Sequence, residues 1–265
     1  MSTLTPTTSA TAATAAADPA AVDVPRSPLN TTYLRLDVRR VLRNRRTLVS
    51  TIVMPVVFYV IFGVGQEDAA SRAYVMISLG VYGAMVAATS VGASVAVERA
   101  SGWSRQLRLT PLRPATYVVT KVLAAATIAL LPVAVEFVVG AVSGARMPAR
   151  AWVVGGVVAW LGSLVFAALG LAVGYLLPSE NAMQILGAAM SVLAMLGGLF
   201  VPLFLFPHLM QRIAQFTPAY GVGVLARYPL THDGSVLGGV VNVVAWAAVF
   251  SVGAALLFRR DTARV

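Results

Sequence analysis

Long apolar runs separated by short basic clusters dominate this chain from Thr47 onward. Six stretches are free of Asp, Glu, Lys and Arg apart from one glutamate: Thr47–Gln66, Ala73–Val97, Val122–Ala145 (interrupted by Glu136), Ala151–Ser179, Asn181–Gln211 and Gly234–Phe258. A bilayer crossing needs about 20 mainly apolar residues. In hydrocarbon the backbone must satisfy its own hydrogen bonds, so each run is predicted to be helical. The short alternating segments of a β-barrel are absent. The pattern predicts an all-α integral membrane protein with six transmembrane helices, at about 47–65, 73–97, 119–143, 152–177, 181–201 and 235–258.

Ahead of the first run, Leu34, Val38, Val41 and Leu42 fall on one helical stripe, with Arg35, Arg39, Arg43 and Arg46 on other faces. This predicts an N-terminal amphipathic interfacial helix over 33–46, lying on an anionic membrane surface. Residues 1–30 are rich in Ala, Thr, Ser and Pro and lack the basic start and bulky apolar run of a secretory signal. They are expected to form a disordered cytoplasmic tail ahead of a membrane domain spanning 31–260.

The fifth run is too long for a simple crossing. It holds Gly197-Gly198, Pro202 and Pro207, and Pro218 and Tyr220 follow. Proline removes a backbone donor and interrupts a helix. The expectation is a span ending near Val201, then short re-entrant helices before the sixth span. Irregular backbone at that depth must be buried in protein or line a cavity. Gly198, Pro202, Pro207, Pro218 and Tyr220 are therefore candidates for an exit segment or a subunit contact.

Charge sets the orientation. The net charge is +10, yet only 11% of residues are charged and the mean hydropathy is +0.80. Six spans place both termini on one side, and fifteen of the twenty basic residues lie there. The remaining five are Arg72, Arg146, Arg150, Arg212 and Arg227. The bias predicts cytoplasmic N- and C-termini and makes membrane lipid, not nucleic acid, the partner of the positive charge.

Candidate chemistry is sparse. There is no cysteine, and the only histidines are His208 and His232, so no three-ligand metal site is expected. The only lysine, Lys121, stands between Thr120 and Val122, outside any phosphate-binding loop motif. No catalytic residue is expected. Glu136 is the one acidic residue inside a predicted span. It reads equally well as a contact for a cationic substrate or a proton, and as a buried helix–helix hydrogen bond or near-surface position. Gly170-x-x-x-Gly174 suits close helix packing within a bundle or at a dimer seam.

The connection between spans two and three reads Glu98-Arg99-Ala100-Ser101-Gly102-Trp103-Ser104-Arg105-Gln106-Leu107-Arg108-Leu109-Thr110-Pro111-Leu112. Trp103, Leu107 and Thr110 share one face of a short helix, and Pro111 bounds it. This stretch resembles the ABC-2 family of exporter permeases, including the daunorubicin-resistance type. The signature is an acidic-basic pair, a glycine, a Gln/Leu turn and Thr-Pro-Leu. Gly198, Pro202, Pro207, Ile213, Ala214, Pro218, Tyr220 and Arg227 resemble a second family segment. Trp103-Ser104 departs from the small residue and Glu found in many relatives.

The resemblance implies a bacterial plasma-membrane permease that works as a homodimer or heterodimer. It would be driven by separate ABC ATPase subunits, which bind the ATP and magnesium; this chain would carry no cofactor. It implies a cytoplasmic coupling helix whose ATPase contacts involve Glu98, Arg99, Gly102, Trp103, Gln106, Leu107, Thr110 and Pro111. The expected cargo is an amphipathic drug, antibiotic or lipid, with export of a polysaccharide or lipid-linked glycan as the alternative. A scaffold or sensor subunit is the reading from a different class, and a membrane enzyme would need a polar cluster within the spans, where only Glu136 is available.

Overall fold

In a computed structural model, residues 31–102 and 114–263 are described. The expected tail at 1–30 lies outside them, as do Trp103, Gln106, Leu107, Thr110 and Pro111. The described residues form helices joined by short turns and irregular links, with no strand among them.

The chain opens with α1 (Thr31–Leu42) and a single turn, α2 (Arg45–Leu48). A π-helical turn, Val49–Val53, leads into α3 (Met54–Phe62). Long helices follow: α4 (Ala69–Ala100) and α5 (Pro114–Val142). A break at Ser163 divides the next stretch into α6 (Ala149–Gly162) and α7 (Leu164–Leu176). Then come α8 (Ser179–Leu196), a 3₁₀ turn at Leu203–Leu205, α9 (His208–Gln215), α10 (Pro218–Thr231) and α11 (Val236–Ala263).

Among the described residues, four helical stretches are long and apolar enough to cross a membrane: Ala69–Ala100, Thr116–Val142, Ala149–Leu176 and Val236–Arg260. Val49–Phe62 and Ala182–Leu196 are shorter apolar helices. The protein is thus an all-helical, multi-pass membrane bundle. Helix α8 stops at Leu196, short of the expected end near Val201. Gly197 closes it, and Gly198 takes a positive φ of 75° that a residue with a β-carbon rarely adopts.

Helix α4 is the axis of the bundle and packs against α3, α5, α7, α8 and α10. Its sequence explains why. Gly80, Gly83, Ala84, Ala87, Ala88, Gly92, Ala93 and Ala96 leave little side chain to hold neighbours away. A methyl group at Gly92 would run into the Ala167 carbonyl, and one at Gly170 into the Thr89 carbonyl. Gly174 meets Ala93 in the same seam. The Gly170-x-x-x-Gly174 pair therefore packs within the chain, joining α7 to α4. Helix α11 packs on α7 and α10, and presents Val240, Val241, Val244, Val252 and Leu256 outward.

The aromatic residues act as packing and anchoring groups. Tyr59 is fully buried, with its hydroxyl 3.0 Å from Ser143 Oγ. Trp160 Nε1 donates to the Ala126 carbonyl and Trp246 Nε1 to the Phe216 carbonyl, at 2.7 and 2.9 Å. Each ring keeps its apolar body among side chains while its one donor is satisfied.

Candidate functional site at the charged end of the bundle

The end of the bundle that carries α1 also holds the last turns of α4 and the first turns of α5. The buried side of α1 is formed by Leu34, Asp37, Val38 and Val41. Leu42, expected on that stripe, is 40% exposed, and Asp37 takes a place on the buried face instead. The reason lies across the interface, where Lys121 of α5 is 1% exposed and needs a counter-charge.

Lys121 Nζ donates to both carboxylate oxygens of Asp37, at 3.0 and 3.1 Å, and to Glu98 Oε1 at 2.6 Å. Ser94 Oγ lies 3.3 Å from the same ammonium. Arg40 Nη1 donates to Glu98 Oε1 at 3.1 Å, and the Tyr117 hydroxyl donates to Glu98 Oε2 at 2.6 Å. Two carboxylates and two cations balance, and every carboxylate oxygen has a donor. The participants come in helical pairs: Asp37 and Arg40 on α1, Ser94 and Glu98 on α4, Tyr117 and Lys121 on α5. Spacings of three and four put each pair on one helix face.

Arg99 ties the same end of α4 to α7. Its Nη1 donates to the Gly174 and Tyr175 carbonyls at 3.2 and 2.9 Å. Carbonyls in the last turn of a helix lack intrahelical donors, and a cation there also meets the negative end of the helix dipole. Gly102 follows the end of α4 with a φ of 72°, which turns the chain into 103–113. Of the sequence-predicted coupling residues, the structure brings Glu98 and Arg99 into this buried end. Glu98 is 2% exposed, so its carboxylate faces the bundle interior.

A cavity of about 130 Å³ opens beside the cluster. Asp37, Arg40, Asn44, Ser90 and Ser94 give it a polar wall, and Val41, Val97 and Met183 an apolar one.

The opposite end is organised by Arg227, which the charge count treats as a surface cation. It is 4% exposed. Its Nη1 donates to Ser78 Oγ at 2.8 Å and to the Gly198 carbonyl at 3.2 Å, and the guanidinium lies 4.8 Å from the Tyr74 ring centroid. Of the expected exit residues, Gly198 is thus fastened to α4 through α10. Pro202 precedes the 3₁₀ turn, Pro207 precedes α9, and Pro218 starts α10, each where a missing N–H costs no helical bond. Tyr220 is half-buried on α10.

Glu136 belongs to neither end. It sits in α5 against Gly80 of α4 and is fully buried. Neither carboxyl oxygen has a hydrogen-bond partner among the described residues. Its neighbour Phe137 stands edge-on to Trp152 at 5.7 Å.

Asp37, Arg40, Tyr117 and Lys121 are the residues that sequence reasoning passes over. Their signal is faint but physical. A lone acid on an otherwise basic helix and a lone lysine at the head of an apolar run are complementary charges, each of which needs a partner to be buried.

A helical membrane bundle with small-residue seams and an ion cluster at one end defines a polytopic membrane protein. Its sequence places it further: the chain belongs to the ABC-2 type transporter family, whose model matches residues 30–228. It is similar to YvfS of Bacillus subtilis (strain 168), whose name assigns it to the transport permeases. The two are 28% identical over 236 residues, covering 86% of this chain and 96% of YvfS.

Proposed function

We propose that this chain is the membrane permease subunit of an ATP-binding cassette exporter. It moves an amphipathic drug, antibiotic or lipid out of a bacterial cell, using ATP and magnesium bound by separate ATPase subunits. The six apolar runs cross the plasma membrane, with both termini in the cytoplasm. A second permease chain, identical or related, completes the path. The segment that begins at Glu98 and continues through Gly102, Trp103, Gln106, Leu107, Thr110 and Pro111 receives the ATPase, together with α1. The segment from Gly198 to Tyr220 re-enters at the outer face.

One observation carries this reading. At the root of the proposed coupling segment, Glu98 is built into an ion cluster that also holds α1, and Arg99 is bonded to the last turn of α7. A surface connector would need no such anchoring. Force applied at this end reaches α4, the helix that touches most of the bundle. Glu136 would meet the cargo only after the bundle rearranges, since it is closed off here.

The test is reconstitution. The chain, purified with its ATPase into liposomes, should move a fluorescent amphipathic dye only when ATP is present and hydrolysed. Transport with no ATPase present would overturn the reading, as would an ATPase indifferent to the permease. Labelling an introduced cysteine at Arg108 from outside intact cells would overturn the orientation.

A further inference from the structure

We infer that Lys121 is a positioning residue that locks α1, the last turns of α4 and the first turns of α5 into one moving body. This rests on the exporter reading, and says how a push on α1 or on the segment after Glu98 is delivered to the bundle.

The stoichiometry of the cluster is the first argument. An ammonium has three N–H donors. Lys121 meets three acceptor groups, the Asp37 carboxylate, Glu98 Oε1 and Ser94 Oγ, one from α1 and two from α4. Glu98 in turn accepts from Lys121 of α5 and Arg40 of α1 on one oxygen and from Tyr117 of α5 on the other. The two carboxylates and the ammonium are buried, and each carboxylate oxygen is already matched. Sliding α1 against α4 and α5 by one turn would strip Asp37 of both its bonds to Lys121 and take the Arg40 donor from Glu98, leaving a carboxylate stranded in low dielectric, so the three elements shift together or the cluster breaks.

The second argument is where the helices are weak. About 16 Å along α5 from Lys121, at a rise of 1.5 Å per residue, Pro132 interrupts the helix. On the first apolar helix the π turn Val49–Val53 and Pro55 interrupt the ladder in the same region. These irregularities converge on Gly83 of α4, where a β-carbon would lie 2.8 Å from Pro132 Cβ, 2.9 Å from the Thr51 carbonyl oxygen and 3.2 Å from Pro55 Cγ. Kinks at such positions are the sites at which helices bend. The protein is therefore clamped at the charged end and bendable farther along, which is the construction of a lever with a hinge.

The chain contains no cysteine, so paired labels can be introduced without removing native ones. Spin labels at Arg39, exposed on α1, and Val119, exposed on α5, would be measured in the full chain with its ATPase in liposomes. The lock requires one narrow distance that is the same without nucleotide and with ATP–vanadate. Lys121→Met and the gentler Asp37→Asn should broaden it, and Lys121→Arg should keep it narrow. Dye transport per ATP hydrolysed should fall about tenfold in the folded fraction of Lys121→Met, about 1.4 kcal/mol of lost coupling, with ATP hydrolysis retained. Asp37→Asn gives the same readout should Lys121→Met fail to fold. A narrow distance and native transport in both variants would overturn the lock, as would a wild-type distance that changes with nucleotide. Wild type that transports nothing with ATP would instead defeat the exporter reading, and the distance distributions alone would then judge the lock.

Discussion

Among the described residues, acidic side chains are buried in two places that are built on opposite principles. At the charged end, Asp37 and Glu98 are enclosed by Lys121, Arg40, Tyr117 and Ser94, and each carboxylate oxygen is matched. In the middle of α5, Glu136 is just as buried and has no hydrogen-bond partner among the described residues. Loss of a cation from a closed buried cluster leaves uncompensated charge, whereas loss of an unmatched carboxyl removes a burden. The same class of substitution, a buried charge replaced by methionine, should therefore have opposite signs at the two sites. The contrast also separates roles: a satisfied cluster fixes geometry, and an unsatisfied group is kept in spite of its cost.

The largest effect should come from Lys121→Met, which leaves the buried Asp37 carboxylate without its ammonium and takes one of three donors from Glu98, and should lower unfolding stability by about 3–5 kcal/mol. Thermal unfolding in detergent micelles would read it as a large fall in Tm. Native Tm in this variant would show that the cluster is open to solvent. Next is the small-residue seam, which serves as the uncharged control. Gly170→Val drives a side chain into the Thr89 carbonyl and should cost about 1–3 kcal/mol by overpacking. A smaller loss, still about 1–3 kcal/mol, is expected for Arg227→Met, because the Gly198 carbonyl and Ser78 hydroxyl lose their buried donor. Faster proteolysis between 197 and 207 would localise that effect to the turn.

Glu136→Met should go the other way and raise stability by about 1 kcal/mol. A fall in Tm would mean that Glu136 holds a partner in the assembled protein. With Glu136→Gln, transport of cationic dyes should drop more than that of neutral ones; equal loss would remove it from the cargo path.

The smallest effect concerns Asp68, fully exposed ahead of α4, with its carboxylate accepting from the Ser71 hydroxyl and from the Ser71 and Ala70 N–H groups. The Ser71 hydroxyl, then those N–H groups, hold its carboxyl below the usual range. A depressed folded value contributes stability above the ordinary pKa of about 3.9 that is lost as pH falls through the folded value. Hydrogen exchange at Ala70 and Ser71 should accelerate in Asp68→Ala near neutrality, and the difference from wild type should shrink in strong acid.

Much of the architecture was legible because hydrocarbon imposes simple rules. Helix type followed from unbroken apolar runs, and the closing of α8 followed from the glycines and prolines after it. The Gly170-x-x-x-Gly174 pair announced a close approach, although not to which helix. The charge cluster was not legible, since it joins residues 37, 98 and 121 from three separate elements. Periodicity favoured Leu42 for the buried face of α1, and only the position of Lys121 explains why Asp37 is there. Arg227 misled for a related reason: a charge count assigns a side of the membrane, but not whether a guanidinium points to water or inward to a carbonyl.

The sequence by itself determined a helical membrane protein of the ABC-2 family, because local hydrogen bonding and bilayer thickness act on consecutive residues. The tertiary structure alone decided which charges are paired and which are left without a partner. Pairing depends on distances of a few ångströms between segments far apart in the chain. Burial makes those distances decisive, because a charge that loses its partner there has no water to replace it.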